Sequence, residues 1–85
     1  MSLTQLEYFV AVAESGSVTR AASRCAVSQP PLTRQIRALE DELSAQLFER
    51  SPRGMALTRE GERLLVHARS VLALVRETPR VVRSG

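Results

Sequence analysis

Adjacent prolines at positions 30 and 31 constrain the fold of this chain more than any other feature of its sequence. Proline has no backbone N–H and a fixed φ, so it is tolerated in the first turn of a helix but not in its interior. Directly after the prolines, apolar residues recur with helical spacing at Leu32, Ile36, Leu39 and Leu43. We therefore predict a helix that begins at Pro30 or Pro31. Ser28 and Gln29 would form an extended lead-in, with side chains free for an outside partner.

A second helical pattern lies just upstream of the prolines. Ser17 is a favourable N-cap residue, and the segment 18–25 places Val18, Ala21, Ala22 and Cys25 on one side. Its paired alanines allow close approach of a neighbouring helix, and we interpret Cys25 as a small core residue rather than a reactive thiol. Two helices joined by three or four residues, the second with polar and basic groups at its start, are typical of a helix-turn-helix.

A further helix is predicted before this pair, over residues 3–14. The sequence offers two capping boxes at its start, Ser2 with Gln5 or Thr4 with Glu7, and does not choose between them. Gly16 is well placed to end this helix, because glycine adopts the left-handed conformation in which helices commonly finish.

After Leu43 the apolar spacing changes from helical to alternating. The short segments 47–50 and 55–58 flank a turn sequence, Ser51-Pro52-Arg53-Gly54. Proline followed by glycine over four residues indicates a tight turn, so a small β-hairpin is predicted. Its tip would present Arg53, with Arg50 beside it. A basic hairpin after a helix-turn-helix is a wing, able to reach an adjacent stretch of nucleic-acid backbone.

The last predicted helix begins after the capping residue Thr58 and runs from Arg59 to about Thr78, where Pro79 would interrupt it. Its apolar stripe is formed by Gly61, Leu65, Ala68, Leu72 and Val75, with Leu64 and Val71 beside it. This stripe is wide for so small a domain. We predict that part of it packs on the core and part, comprising Leu65, Ala68, Val71, Leu72 and Val75, pairs with a second chain.

Arginines concentrate in the helix-turn-helix. Between Glu14 and Glu40 lie 25 residues with four arginines and no carboxylate. The rest of the chain has eight arginines and nine acidic residues, so the whole formal net charge of +3 originates in this one segment. A localised basic surface is typical of proteins that contact phosphates. A basic face that is merely solvated gives the same pattern, so charge alone leaves both interpretations open.

Other function classes find little support in the sequence. It contains one His and one Cys, no nucleotide-binding glycine motif, no zinc-ligand spacing and no nucleophile–base pair. We therefore expect no enzymatic activity, no metal and no cofactor. No apolar run is long enough to span a bilayer, which predicts a cytoplasmic protein without a membrane partner.

The chain resembles the N-terminal DNA-binding domain of LysR-type transcriptional regulators, and the resemblance covers nearly all of it. The segments responsible are LEYFVAVAESGS at 6–17, VTRAASRC at 18–25, VSQPPLTRQI at 27–36, LEDEL at 39–43, LFER at 47–50 and RGMALTREG at 53–61. The resemblance implies a mainly α winged helix-turn-helix over residues 1–58. A long C-terminal linker helix and tail, residues 59–85, would pair two chains into a homodimer.

The resemblance also implies which residues bind double-stranded DNA. Gln29, Pro30, Thr33 and Arg34 match the positions that touch bases and phosphates in the major groove, and Arg53 matches the residue of the wing that reaches the minor groove. Charge and helix face add two expected phosphate contacts, Arg37 and Arg50. Two domains would bind the two halves of an inverted repeat in the DNA. The resemblance also implies a bacterial protein that acts in the cytoplasm.

The family implies a larger protein around this domain. An effector molecule would bind only to a separate C-terminal domain outside this sequence, and the full-length protein could assemble as a tetramer. The alternative interpretation of the chain is a helical protein-interaction or dimerisation module with non-specific affinity for nucleic acid.

Overall fold

The computed structural model describes residues 1–84, which form four helices and one two-stranded β-hairpin. In chain order the elements are α1 (Leu3–Ser15), α2 (Val18–Arg24), α3 (Gln29–Leu43), β1 (Phe48–Ser51), β2 (Gly54–Leu57) and α4 (Arg59–Arg83). The first three helices pack together around one core, and the hairpin and α4 close it from the side of α1.

Both ends of α1 follow from local sequence. Of the two possible capping boxes, the first forms: Ser2 Oγ accepts from the Gln5 N–H at 3.1 Å, and Gln5 Oε1 accepts from the Ser2 N–H at 3.2 Å. Gly16 ends the helix in the left-handed conformation, with φ of 66°, and its N–H donates to the Val12 carbonyl at 2.8 Å. The prediction for Gly16 is confirmed.

The start of α3 differs from the prediction by one or two residues. The helix begins at Gln29, so the expected lead-in is limited to Ser28. Ser28 is the N-cap but makes no side-chain capping hydrogen bond, as expected because the two residues whose N–H groups it would accept from are Pro30 and Pro31. The first N–H groups of a helix have no partner within it, so the prolines remove no hydrogen bond there and the helix can include Gln29.

The core lies between α1 and the helix-turn-helix. Phe9, Leu32 and Leu39 are fully buried, and the rings of Phe9 and Phe48 lie 5.3 Å apart between centroids. Leu43, the last residue of the predicted α3 stripe, is exposed instead. The buried residues of this core are Leu6, Phe9, Val10, Ala11, Val12, Ala21, Leu32, Ile36, Leu39, Leu47, Phe48, Ala68 and Leu72.

Helix α2 packs closely because its inner side chains are small. Ala21 and Ala22 are 0% and 4% exposed, and Val18 and Cys25 are half-buried beside them. Burial raises the pKa of the Cys25 thiol, which disfavours the thiolate that a reactive cysteine needs. The structure agrees with Cys25 as a small packing residue.

The hairpin forms as predicted, with strands displaced by about one residue from the expected segments. Strands β1 and β2 are antiparallel, and the last ladder pair is Ser51 with Gly54, so Pro52 and Arg53 form the tip. The hairpin, residues 48–57, is called the wing below. Its β2 strand is attached to the end of α1, because the Met55 N–H donates to the Gly16 carbonyl at 3.0 Å.

Helix α4 continues to Arg83, so the prediction that it ends near Thr78 is wrong. Pro79 cannot donate to the carbonyl of Val75, one turn earlier. Because residues 73–83 are all exposed, water can satisfy that carbonyl and the helix continues at the cost of one hydrogen bond. At the other end, Thr58 Oγ1 accepts from the Gly61 N–H at 3.0 Å and is the N-cap predicted.

Candidate DNA interface

One side of α3 presents polar and basic groups to solvent. Gln29, Pro30, Arg34 and Arg37 are exposed and Thr33 is half-buried. At 100° per residue, these five positions occupy a continuous arc of about 140°, which begins beside the buried Ile36 and extends to the side opposite Leu32. The structure therefore brings together on one helix face all five of the residues predicted to read DNA from α3.

The turn between α2 and α3 fixes the position of this face. Ala26 has a positive φ of 57°, and the next N–H, from Val27, donates to the Ala22 carbonyl at 3.0 Å. The Gln29 side chain is tied to α2 as well, since its Nε2 donates to Thr19 Oγ1 at 3.1 Å. The expectation that the Gln29 side chain is free is therefore wrong for one N–H of its amide, which is bonded to α2, while the residue itself is exposed.

The wing presents the two remaining predicted DNA contacts. Arg50 and Arg53 are both exposed, Arg50 on β1 opposite Met55 and Arg53 at the tip. At the tip, Ser51 Oγ accepts from the Arg53 N–H at 3.2 Å. These arginines belong to a separate element from the α3 face, as a second point of contact would require.

Glu40 connects α3 to the wing, a role that sequence reasoning missed. Its carboxylate oxygen Oε2 accepts from the N–H of Leu47 at 2.7 Å and of Phe48 at 3.4 Å. Glu40 lies near the C-terminal end of α3, where the helix dipole disfavours a negative charge. That unfavourable placement was the feature of the sequence from which a partner for Glu40 could have been inferred. Its compensation is the pair of backbone donors, one in the following loop and one at the start of β1.

The basic segment contains one arginine that is engaged internally. Glu14 on α1 forms ion pairs with Arg24 of α2 at 2.8 Å and with Arg69 of α4 at 2.9 Å. Hydrogen bonds from Arg69, and to a smaller extent from Arg24, lower the pKa of this carboxyl. In the described part of the chain, Arg20, Arg34 and Arg37 form no salt bridge and are exposed.

The residues predicted for dimerisation divide into two groups. Ala68 and Leu72 are 0% and 4% exposed within this chain's own core, and Leu65 and Val71 are half-buried against it. Val75 is 43% exposed. The buried side chains of Ala68 and Leu72 stabilise the fold of the single chain. Pairing of two chains through α4 stays a prediction.

Beyond Leu72, the large apolar residues of α4 are exposed: Leu74, Val75, Val81 and Val82. Leu74 and Val81 are seven residues apart, as are Val75 and Val82, so the two members of each pair lie on the same side of the helix.

Among residues 1–84, no three His, Cys, Asp or Glu side chains come together as a metal site. No helix within the described residues is long and apolar enough to cross a membrane.

These features define a class of protein: a winged helix-turn-helix with an exposed polar and basic recognition helix. The family model described as "Bacterial regulatory helix-turn-helix protein, lysR family" matches residues 3–62. The chain belongs to this family, and it contains the family's DNA-binding domain.

Curated relatives agree with this assignment. The chain is 55% identical over 80 residues to the HTH-type transcriptional regulator TfdT of Cupriavidus pinatubonensis, an alignment covering 94% of this chain and 35% of TfdT. It is 53% identical over 72 residues to the regulator ClcR of Pseudomonas putida, covering 85% of this chain and 24% of ClcR. The chain thus spans about a third or less of the length of these relatives.

Solved structures match over the whole fold. The DNA-binding domain of CbnR in complex with DNA is 48% identical with a TM-score of 0.94, covering 99% of this chain and 97% of that one. The DNA-binding domain of BenM with its benA site 1 DNA is 42% identical with a TM-score of 0.93, covering 98% and 96%. The predicted fold class is confirmed, and the DNA-binding interpretation is favoured over the protein-interaction module.

Proposed function

We propose that this domain recognises a specific double-stranded DNA sequence by inserting α3 into the major groove while the wing contacts the neighbouring minor groove. The observation that supports this most is the α3 face itself. It combines an amide, a hydroxyl and two guanidinium groups in the first nine residues of a helix anchored in the core by Leu32, Ile36 and Leu39, and the carboxylates of α3 all lie in its C-terminal third. Related domains whose structures contain DNA share this fold.

The side chains of the α3 face suit base recognition. An arginine such as Arg34 can donate two hydrogen bonds to guanine, and the amide of Gln29 can pair with adenine. Thr33 offers a hydroxyl and a methyl group, the latter able to contact thymine. Pro30 contributes apolar surface, and Arg37, one turn farther from the helix start, is assigned to a phosphate. Base contacts specify the sequence, whereas phosphate contacts fix register.

The wing and α4 complete the proposal. Arg53 at the tip reaches the minor groove, and Arg50 on β1 contacts a phosphate. Two domains pair through the exposed apolar side of α4, so that two α3 helices read the halves of an inverted repeat in the bacterial cytoplasm. An effector would act through a further C-terminal domain of the whole regulator, which could be a tetramer.

Replacing Arg34 with alanine tests the proposed reading of bases. The test uses a duplex that the wild-type chain selects from a random pool. Arg34→Ala should bind this duplex with a binding free energy weaker by about 1–3 kcal/mol and with a relaxed preference at the contacted base pair. Fluorescence anisotropy on the selected and a scrambled duplex, at physiological salt, measures both effects. Arg63→Ala on α4 removes the same charge outside the interface and should bind like the wild type.

An equal loss on the selected and scrambled duplexes would reduce Arg34 to a phosphate contact. A wild-type chain without preference for any selected duplex would contradict the proposed function and favour a protein-interaction module instead.

Replacing Arg53 tests the wing. An arginine bound in the minor groove neutralises phosphate charge as a direct phosphate contact does. Its loss therefore makes the dependence of log K on log salt concentration shallower by about one unit, because fewer counterions are released. Arg53→Ala should therefore bind the selected duplex more weakly and with a slope reduced by about one. Arg53→Lys keeps the charge and should retain the slope. An Arg53→Ala slope equal to that of the wild type would rule out contact between the tip and DNA.

A further inference from the structure

A side-chain hydrogen bond joins α2 to the first residue of α3. Gln29 Nε2 donates to Thr19 Oγ1 at 3.1 Å, across ten positions of the sequence. Both residues are exposed, and Gln29 lies at the start of the α3 face. Thr19 therefore contacts a proposed base-reading side chain without belonging to the recognition helix.

The backbone around Thr19 has little freedom to move relative to Gln29. Thr19 lies in the first turn of α2, which is capped by Ser17, whose Oγ accepts from the Arg20 N–H at 3.2 Å. The next turn of α2 is anchored by Ala21 and Ala22, both buried in the core. The Thr19 hydroxyl thus occupies a position set by the packing of α2.

The hydrogen bond determines which way the Gln29 amide points. An amide presents an acceptor on one side and a donor on the other, and rotation by 180° exchanges them. When one N–H is directed to Thr19, Oε1 and the second N–H remain for a ligand. Recognition of adenine by glutamine uses one acceptor and one donor in a defined order.

We propose that Thr19 is a positioning residue that orients the Gln29 amide and so sets the base preference at the pair which Gln29 contacts. This inference rests on the proposed function, since it requires that Gln29 reads a base. The Thr19 hydroxyl also has a proton of its own, which could be donated directly to a phosphate. A direct contact of that kind would change affinity without changing base preference, and this difference separates the two roles.

The test uses duplexes that differ at one base pair. For the selected duplex, each pair is replaced in turn by the other three, and the positions whose preference is lost in Gln29→Ala define the pair that Gln29 reads. At that pair, Thr19→Val, which is nearly isosteric but lacks the hydroxyl, should reduce the ratio of Kd values between worst and best base by about three- to tenfold. Thr19→Ser keeps the hydroxyl and should retain most of the preference.

A double-mutant comparison makes the test specific to the hydrogen bond. In the Gln29→Ala background, Thr19→Val should cause no further change in base preference, because the group it orients is gone. Circular dichroism melting of each variant checks that α2 stays folded. If Thr19→Val loses the same affinity on every duplex and retains the wild-type base preference, the positioning role is overturned and Thr19 is a phosphate contact. A further change of preference in the Gln29→Ala background would overturn it as well.

The result is also distinct from a failure of the proposed function. A wild-type chain that binds selected and scrambled duplexes equally contradicts DNA-sequence recognition as a whole. A wild-type chain with clear preference, matched by an identical preference profile in Thr19→Val, contradicts only the role of Thr19.

Discussion

Replacing Gly61 with alanine is expected to lower the free energy of unfolding by about 3 kcal/mol, although alanine is normally the better helix former by about 0.5–1 kcal/mol. A Cβ at this position would lie 2.1 Å from the backbone carbonyl oxygen of Leu47 and 2.9 Å from a methyl carbon of Leu57. The carbonyl oxygen cannot yield without moving the backbone that leads into β1. Overpacking against backbone is therefore expected to outweigh the gain in helix propensity.

The measurement is urea unfolding followed by circular dichroism. Arg63→Ala, two residues along the same helix and exposed, is the matched control and should change stability by less than about 0.5 kcal/mol. The Leu47 carbonyl also accepts from the Thr58 N–H at 3.0 Å, so the displacement would disturb the junction of wing and α4. Gly61→Ala as stable as the wild type would show that α4 does not approach β1 as closely as described.

The sequence placed Gly61 on the buried stripe of α4 but could not supply the reason for glycine. Periodicity reports which side of a helix is buried, and it carries no information about the chain segment that crosses it. The same limit applies to Glu40, whose backbone partners are the last loop residue before the wing and the first residue of β1. Close approaches and side-chain-to-loop hydrogen bonds depend on the assembled fold.

Features determined within one turn of helix were predictable. The left-handed Gly16 and the Thr58 cap depend on residues close in sequence and were confirmed, and the capping box of α1 is one of the two that the sequence offered. The two errors at prolines have one cause. Both predictions assumed that a proline removes a backbone hydrogen bond which the helix needs. The first turn of α3 contains no such bond, and in α4 water can replace the bond that is lost.

The α3 face was predictable because the helix is buried along one side. Once Leu32, Ile36 and Leu39 define that side, the positions of Thr33, Arg34 and Arg37 follow from the helical period. The hydrogen bond between Thr19 and Gln29 was not predictable, since it depends on the angle at which the turn at Ala26 joins two helices. The positions of the proposed base contacts thus follow from the pattern of one helix, whereas the orientation of the Gln29 amide depends on the neighbouring helix.

Pairing through α4 is expected to produce the largest change in DNA affinity. The double substitution of Leu74→Asp and Val75→Asp places two charges among the exposed apolar residues beyond Leu72. Leu74 is 68% exposed and Val75 is 43% exposed. Both side chains lie largely outside the monomer's core, so the fold should be retained. Charges buried against a second helix without partners oppose association, so the variant should sediment as a monomer.

The loss of pairing should appear in DNA binding as a difference between whole and half sites. Two linked domains bind an inverted repeat with an effective concentration that raises affinity by about 10²–10⁴-fold. The double variant should therefore lose about 10²-fold or more in affinity for the inverted repeat while binding an isolated half-site like the wild type.

Val66→Asp is the matched control, because Val66 is as exposed as Leu74, at 68%, but lies about 80° around α4 from it. An unchanged affinity for the inverted repeat, or a dimer that persists in sedimentation, would move the pairing surface away from this side of α4. A second contact would then be expected from elsewhere in the regulator, since Ala68 and Leu72 of the stripe are buried in the domain's own core and Leu65 and Val71 are half-buried against it.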